Sequence, residues 1–234
     1  MTARILDNPT ALFGSMGLTP PDLSLWIHPC TAGCGEQMQR PGICGDCLVK
    51  ERLEKERIEG MRKRLETIPA QYRDARPDAA CVRERVYDAR GFDQACTALS
   101  RHRVLVLLGP PGAGKSTTAG AVLAAQAEAG RSIAWIPALR LAVARSEGRL
   151  GSEPDEIRAA IRAQVIVIDD LGQEGLNPTS AVVDVVHARH DSQKPLIVTS
   201  GLDRRDLGTR YGGGVGRRLL EGACVVELTC RRST

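Results

Sequence analysis

The chain has 234 residues, enough for one sizeable core domain with a small module beside it. Hydrophobic residues make up 42% and aromatic ones only 3%, so a core has to be assembled from Leu, Ile, Val and Ala. No apolar run approaches the roughly 20 residues of a membrane span. No basic segment followed by an apolar one opens the chain, so neither membrane nor secretion is expected. A net charge of +4, from 32 basic and 28 acidic residues, permits contact with nucleic acid without arguing for it.

In chain order, residues 1–29 mix polarities and turn residues (Asn8-Pro9, Gly14, Gly17, Pro20-Pro21) and read as a loosely ordered lead-in. Residues 30–47 are more informative. Cys30, Cys34, Cys44 and Cys47 form C-x₃-C-x₉-C-x₂-C with glycines beside the cysteines. Two close pairs separated by a short loop can deliver four thiolates to a tetrahedral Zn²⁺. Nothing in this stretch builds a hydrophobic core, so the metal would supply the folding energy. Four free thiols and an iron–sulfur cluster are the alternatives, and His28 is close enough to compete as a ligand.

Residues 48–76 read as a charged helix, Leu48 to Thr67, followed by a linker. Glu51/Lys55 and Glu59/Lys63 are spaced i,i+4, and Leu53, Ile58, Met61 and Leu65 give a narrow apolar stripe. A solvated connector and a partner-binding helix both fit. Ile68-Pro69 ends it. Tyr72 to Pro77 reads as linker, which puts a boundary near residue 70 and a second domain over 77–234.

That domain opens with a helical stretch, Ala80 to Leu99, then the short apolar run Val104 to Leu108. Such a run reads as a buried parallel strand. It leads into Gly109-Pro110-Pro111-Gly112-Ala113-Gly114-Lys115-Ser116-Thr117 and an Ala-rich helix over Ala119–Ala129. Strand, G-x-x-x-x-G-K-S and helix in that order make a phosphate-binding loop. The glycines let successive N–H groups converge on phosphate oxygens at a helix N-terminus. Lys115 supplies a mobile charge for the β- and γ-phosphates, and Ser116 offers a hydroxyl to Mg²⁺. ATP with Mg²⁺ is the expected ligand. A compartment containing ATP is reducing, which places the protein in the cytoplasm and favours metal over disulfides at the cysteines.

Strands and helices then alternate. Ser132–Ile136 is a strand. Pro137–Gly148 and Glu153–Arg162 are helices, the second with Ser152 as N-cap. Val165–Ile168 is a buried strand ending in Asp169-Asp170, a Walker B element. Asp169 would hold Mg²⁺, and Asp170 would orient and polarise the attacking water. Ser180–His190 is a helix, Pro195–Thr199 a strand, Val215–Leu220 a short helix and Cys224–Leu228 the last strand. The alternation predicts an α/β fold with a parallel sheet between helices. Arg217-Arg218 follows a glycine-rich stretch and reads either as a trans-acting guanidinium or as a basic surface patch. Cys81, Cys96, Cys224 and Cys230 read as small hydrophobes, and His102, His187 and His190 receive no role.

Ile68-Pro69-x-x-Tyr72-Arg73, the phosphate loop, Val167-Ile168-Asp169-Asp170-Leu171-Gly172, Pro195–Ser200, Arg210-Tyr211-Gly212 and Arg218-Leu219 together resemble the AAA+ ATPases of the DnaC/DnaI helicase-loader and IstB-like group. The resemblance runs from about Ile68 onward. It implies an AAA+ (ASCE) sheet without a C-terminal helical lid, often preceded by a zinc module. It implies Lys115 and Ser116 for phosphate and Mg²⁺, Asp169 and Asp170 for metal and water, and Arg218 as an arginine finger reaching a neighbouring protomer. One departure stands out. The group carries an Asn after the Thr-Ser of the fourth strand, where Gly201 stands here. Thr199 or Ser200 would have to substitute as hydrogen-bond donor to the γ-phosphate.

The resulting expectation is an ATP-dependent homo-oligomer that loads or remodels a replicative helicase on single-stranded DNA, with slow, partner- or DNA-stimulated turnover. An IstB-like helper of a transposase shares the same core. A third reading, motivated by Gly201, is a zinc-dependent adaptor that uses ATP as a switch with little hydrolysis.

Overall fold

The computed structural model describes residues 27–147, 153–174 and 179–230. The lead-in up to Trp26 and the Ser152 cap lie outside them. The chain divides into two compact units between Ile58 and Glu59.

In the first unit two-residue strands β1 (His28–Pro29) and β2 (Gln37–Met38) pair antiparallel, His28 opposite Met38. The turn between them is held by Gly33 N–H donating to the Cys30 carbonyl, 2.9 Å, and Cys30 N–H donating to the Glu36 carbonyl, 2.8 Å. Helix α1 (Gly45–Leu65) starts inside the cysteine array, three residues before the expected Leu48. Cys47 therefore sits in its first turn. Exposed pairs Glu51–Lys55 and Glu54–Arg57, both at 2.7 Å, support the helix by a few tenths of a kcal/mol each.

The second unit takes in the end of α1. Leu65, Ile68 and Ala75 are buried, and Tyr72 stacks on Trp135 with ring centroids 5.4 Å apart. Within Tyr72 to Pro77, Ala75 is thus buried and Tyr72 packed, while Arg73 and Asp74 stay exposed, so the stretch is anchored rather than free. Short sequence runs without periodicity do not reveal this, because the partners lie on other elements: Val82, Phe92 and Ala121 around Ala75, and Trp135 against Tyr72. Helices α2 (Ala80–Arg85) and α3 (Ala89–Ala98) replace the single helix expected over Ala80–Leu99. Val86 is extended, and Asp88 caps α3 by accepting from Gly91 N–H at 2.8 Å, a capping bond that restarts the helix.

Five parallel strands follow: β3 (Val104–Leu108), β4 (Ile133–Pro137), β5 (Val165–Leu171), β6 (Leu196–Ser200) and β7 (Cys224–Glu227). Their order across the sheet is β4-β5-β6-β3-β7. Helices α4 (Lys115–Glu128), α5 (Ala138–Glu147), α6 (Asp155–Arg162), α7 (Thr179–Asp191) and α8 (Arg204–Leu220) connect them. Alternate residues of each strand feed two cores. Val106, Leu108, Ile166 and Ile168 pack with α5 to α8, whereas Leu105, Leu107, Val165 and Val167 pack with α3 and α4. Burial on both faces is why these strands read as unbroken apolar runs. Each such side chain contributes about 1.5–3 kcal/mol relative to exposure.

Helix α8 starts well before the expected Val215. Asp203 caps it by accepting from Asp206 N–H, 2.7 Å, and it kinks at Gly212 (φ 76°, ψ 164°). The glycine-rich stretch ahead of Arg217-Arg218 therefore lies inside a longer helical segment, at its kink. No helix among the described residues is long and apolar enough to cross a membrane.

Candidate functional site: a phosphate loop facing two aspartates

The loop after β3 closes on itself through left-handed glycines, Gly109 (φ 143°), Gly112 (φ 77°) and Gly114 (φ 84°). At two of them a side chain has no room. A Cβ on Gly109 would stand 2.3 Å from the Leu228 carbonyl oxygen, and one on Gly114 2.9 Å from the Arg85 carbonyl oxygen. The loop therefore nests between β7 and the end of α2 and delivers its amides to the start of α4, where the helix dipole favours an anion. Lys115 Nζ donates to the carbonyls of Gly109 (2.8 Å) and Pro110 (2.9 Å), folded back over the loop. Burial pulls its ammonium below the usual lysine range, and Asp170 and Asp169 pull it back up. A phosphate in the loop would supply the counter-charge that Lys115 now takes from carbonyl dipoles.

β6 lies between the loop-bearing β3 and the aspartate-bearing β5, and this insertion builds the rest of the site. Thr199, at the end of β6, donates its hydroxyl to Asp169 Oδ1 at 2.6 Å and accepts from Asp170 N–H at 2.9 Å. Ser116 donates to the same Asp169 oxygen at 2.9 Å. Burial is the main influence on Asp169 and raises its carboxyl above the usual aspartate range. The two hydroxyls and Lys115 oppose that, and Asp170 adds to it. A buried carboxylate beside a serine hydroxyl is the donor set a hard divalent cation requires, so the residues fit Mg²⁺. When bound, that ion would hold phosphate oxygens and take up their developing charge.

Asp170 is turned out of the strand. Its backbone is left-handed (φ 56°), the β5–β6 register slips between Ile168 and Leu171, and its side chain is exposed at the mouth of a cavity of about 300 Å³. Left-handed backbone in an aspartate costs on the order of 1 kcal/mol. Here it sends two successive carboxylates to different places, Asp169 inward and Asp170 toward the cavity. Tyr72, Arg85, Pro111, Gly112, Gly114, Lys115, Ser116 and Thr117 complete the lining. Arg85 had no sequence signal. It is fixed there by a two-point pair with Asp74, 3.1 and 3.3 Å, which holds the Asp74 carboxyl below its usual range.

Two expected donors point elsewhere. Thr199 is committed to Asp169. Ser200 donates to the Leu171 carbonyl at 2.6 Å and accepts from Leu202 N–H at 3.1 Å. Both are fully buried, and neither lines the cavity. Nor is Arg218 near the loop of its own chain. It borders a small cavity with Val104 and Leu196, the first residues of β3 and β6, at the opposite end of the sheet. Arg218 Nη1 donates to the Gly214 carbonyl at 3.1 Å, and Arg217 faces Glu221 at 3.6 Å.

Sequence reading missed two further buried groups. Arg189 is 1% exposed and donates to the carbonyls of Ala160 (2.8 Å), Ala163 (2.9 Å), Gln164 (3.0 Å) and Pro195, tying the end of α6 to the starts of β5 and β6. Burial lowers its guanidinium to about 10. Glu174 is likewise buried and is held by Gly172, Arg210 and Tyr211.

In the first unit the sulfurs of Cys30, Cys34, Cys44 and Cys47 all lie within 4.8 Å of one another, Cys34 and Cys44 at 3.6 Å. A tetrahedral zinc with bonds of about 2.3 Å needs sulfurs about 3.8 Å apart, so the array suits a single such ion. Cys44 N–H points at Cys30 Sγ, 3.4 Å, and this amide holds the Cys30 thiol down to about 6. Hydrogen bonding with Cys34 and Cys44 pushes the Cys47 thiol up to about 12.

A phosphate loop, a Walker B strand and an intervening β6 define a P-loop NTPase with the AAA+ sheet order. A family model described as Novel STAND NTPase 3 matches residues 87–203, which is half of the chain, and the chain belongs to that NTPase family. Comparison with curated proteins gives no match. Among solved structures the fold is similar to that of DnaI, with a TM-score of 0.51 and 18% identity over 60% of this chain and 82% of the other. It is similar to a DnaC helicase loader, 0.51 and 20%, over 68% and 99%. It is also similar to AMPPCP-bound DnaA from Aquifex aeolicus, 0.52 and 14%, over 69% of this chain and half (51%) of DnaA. At these identities the likeness shows the fold alone.

Proposed function

We propose that the protein is an ATPase of the DnaC type, coupling ATP binding and hydrolysis to the loading or remodelling of a replicative helicase on single-stranded DNA. The carrying observation is the arrangement of Lys115, Ser116 and Asp170 around one cavity, with Asp169 buried behind Ser116 and bonded to its hydroxyl. It contains a phosphate cradle, a metal carboxylate and a free carboxylate for water. Lys115 and the loop amides bind the phosphates, Ser116 and Asp169 hold Mg²⁺, and Asp170 orients the attacking water. Arg218, remote from its own loop, suits action on a neighbouring protomer, so an ATP-dependent homo-oligomer is part of the reading. The similarity of fold to a DnaC helicase loader supports the helicase as client. A transposase is the alternative client for the same core. Zn²⁺ in the four-cysteine module would shape a partner-recognition end.

The test is ATP hydrolysis by the zinc-loaded protein with and without single-stranded DNA, beside Asp170→Asn. Turnover that DNA stimulates and the substitution abolishes is expected. ATP binding without turnover in either condition would favour a second reading, an ATP-switched adaptor. One observation supports that second reading: Gly201 offers no side chain, and the Thr199 and Ser200 hydroxyls are both engaged inside the protein.

A further inference from the structure

Glu174 has no part in phosphate or metal binding, yet it is among the most completely buried charged groups of the chain, with its side chain fully enclosed. It lies four residues after Asp170. Its Oε2 accepts from Gly172 N–H at 2.9 Å, and its Oε1 accepts the Tyr211 hydroxyl proton. Arg210 places a guanidinium 3.8 Å from Oε1 and also donates to the Glu174 backbone carbonyl. Tyr211 is itself 7% exposed, and its phenol is raised well above its usual range, by burial first and then by Glu174. The hydroxyl therefore stays protonated and donating.

The two ends of this cluster make it more than a structural tie. At one end, Gly172 is left-handed (φ 103°) and packed so closely that a Cβ would meet Leu202 at 2.6 Å. It follows directly on the bulge that turns Asp170 to the cavity. At the other end, Tyr211 is the last residue before the Gly212 kink, and beyond the kink lies the half of α8 that carries Arg217 and Arg218. A buried carboxylate cannot exchange its donors for water without a cost of several kcal/mol. The Asp170–Glu174 loop and the Arg210–Tyr211 segment of α8 must then move as one body, and the kink just after it is where the motion is taken up.

We infer that Glu174 is a positioning residue that couples the nucleotide-facing loop at Asp170 to the arginine-bearing half of α8 through Tyr211 and Arg210. This rests on the nucleotide site proposed above and adds a route from it to the far end of the sheet. A ligand that shifts Asp170 pulls Gly172 and Glu174, and the Glu174–Tyr211 bond passes the shift to Gly212 and the segment after it.

Hydrogen exchange of the full, zinc-loaded chain with and without Mg²⁺ and a non-hydrolysable ATP analogue tests this, with ATP turnover measured in parallel. In the wild type the analogue should slow exchange both in the phosphate loop and in residues 215–220. In Glu174→Gln and Tyr211→Phe the loop should remain protected while the effect on residues 215–220 falls at least threefold. Turnover should fall about tenfold in kcat for Glu174→Gln with KM within twofold. Tyr211→Phe, which removes one oxygen and leaves the ring, guards against simple misfolding. Loop protection without any response of residues 215–220 in the wild type overturns the inference, and so does an undiminished response in both variants. If the coupling is present but the wild type does not hydrolyse ATP, the inference stands and the ATPase reading fails.

Discussion

Thr199 donates its hydroxyl to Asp169 at 2.6 Å and, through the same oxygen, accepts the amide of Asp170 at 2.9 Å. One side chain on β6 thus orients both members of the aspartate pair on β5, the inward carboxylate directly and the outward one through its backbone. Thr199→Val keeps the shape and removes both bonds. Support of this kind around a metal carboxylate is typically worth 10–100-fold in affinity. Mg²⁺-dependent binding of a fluorescent ATP analogue should weaken about tenfold, while metal-free nucleotide binding changes little. Titrating Mg²⁺ at fixed nucleotide checks this. Equal Mg²⁺ affinity would show that Ser116 alone holds Asp169.

Asp169 carries the pH dependence. Its folded-state pKa is raised, chiefly by burial, so the folded protein binds this proton more tightly than the unfolded chain. The group favours the fold at low pH, and that contribution is lost as pH rises through the raised value. Asp169→Asn, which keeps an acceptor for Thr199 and Ser116, should therefore be at least as heat-stable as the wild type at neutral pH. The gap should close on acidification. Protons and Mg²⁺ compete for the same oxygens, so Mg²⁺-dependent nucleotide binding should fade at a higher pH than an ordinary aspartate would impose. Thermal melts and binding isotherms from pH 5 to 8 read both effects.

Arg189 is a structural cation without a carboxylate partner among its hydrogen bonds. Its fork meets four backbone carbonyls in the gap between α6, β5 and β6. Lysine cannot reproduce a planar, multi-point donor. Arg189→Lys should cost on the order of 2 kcal/mol and Arg189→Met about 3, since buried carbonyls lose their partners. Urea unfolding gives the numbers. Nucleotide affinity of the folded fraction should be unchanged.

The cysteine module should bind one zinc per chain, read by elemental analysis. Cys30 and Cys44 are buried, and replacing either with serine should abolish stoichiometric binding. Chelation should collapse the NMR dispersion of residues 27–47, because the two-residue strands β1 and β2 bury too little to persist alone. Acidification should weaken binding by returning protons to the thiolates.

Much of the fold is legible in sequence because its signals are local. A parallel strand buried on both faces must be an apolar run, a phosphate loop must alternate glycine with a terminal lysine, and four cysteines around one ion must come in close pairs. The charged helix and the Asp-Asp pair near the end of β5 belong to the same class. Where local signals conflict, the reading slipped by an element. Asp88 restarts a helix in the middle of the stretch read as one helix, Ala80 to Leu99. Three glycines at 212–214 lie within a helical segment because Asp203 caps it upstream and Leu207, Val215 and Leu219 are buried along it.

The remaining features depend on contacts between residues far apart in the chain. β6 enters between β3 and β5, and only this sheet order brings Thr199 to Asp169, 30 residues away. The left-handed turn at Asp170 follows from the register slip against β6, which no residue type announces. Arg189 and the Glu174–Tyr211 pair read as ordinary polar residues in sequence. They acquire their roles because closing the core leaves them in places where water cannot reach, and a buried polar group must then find its partner within the protein. The residue types in order are enough to read a phosphate loop, a pair of carboxylates and four cysteines, because each is a local pattern. The packing of β6 and α8 against β5 decided which way each carboxylate points.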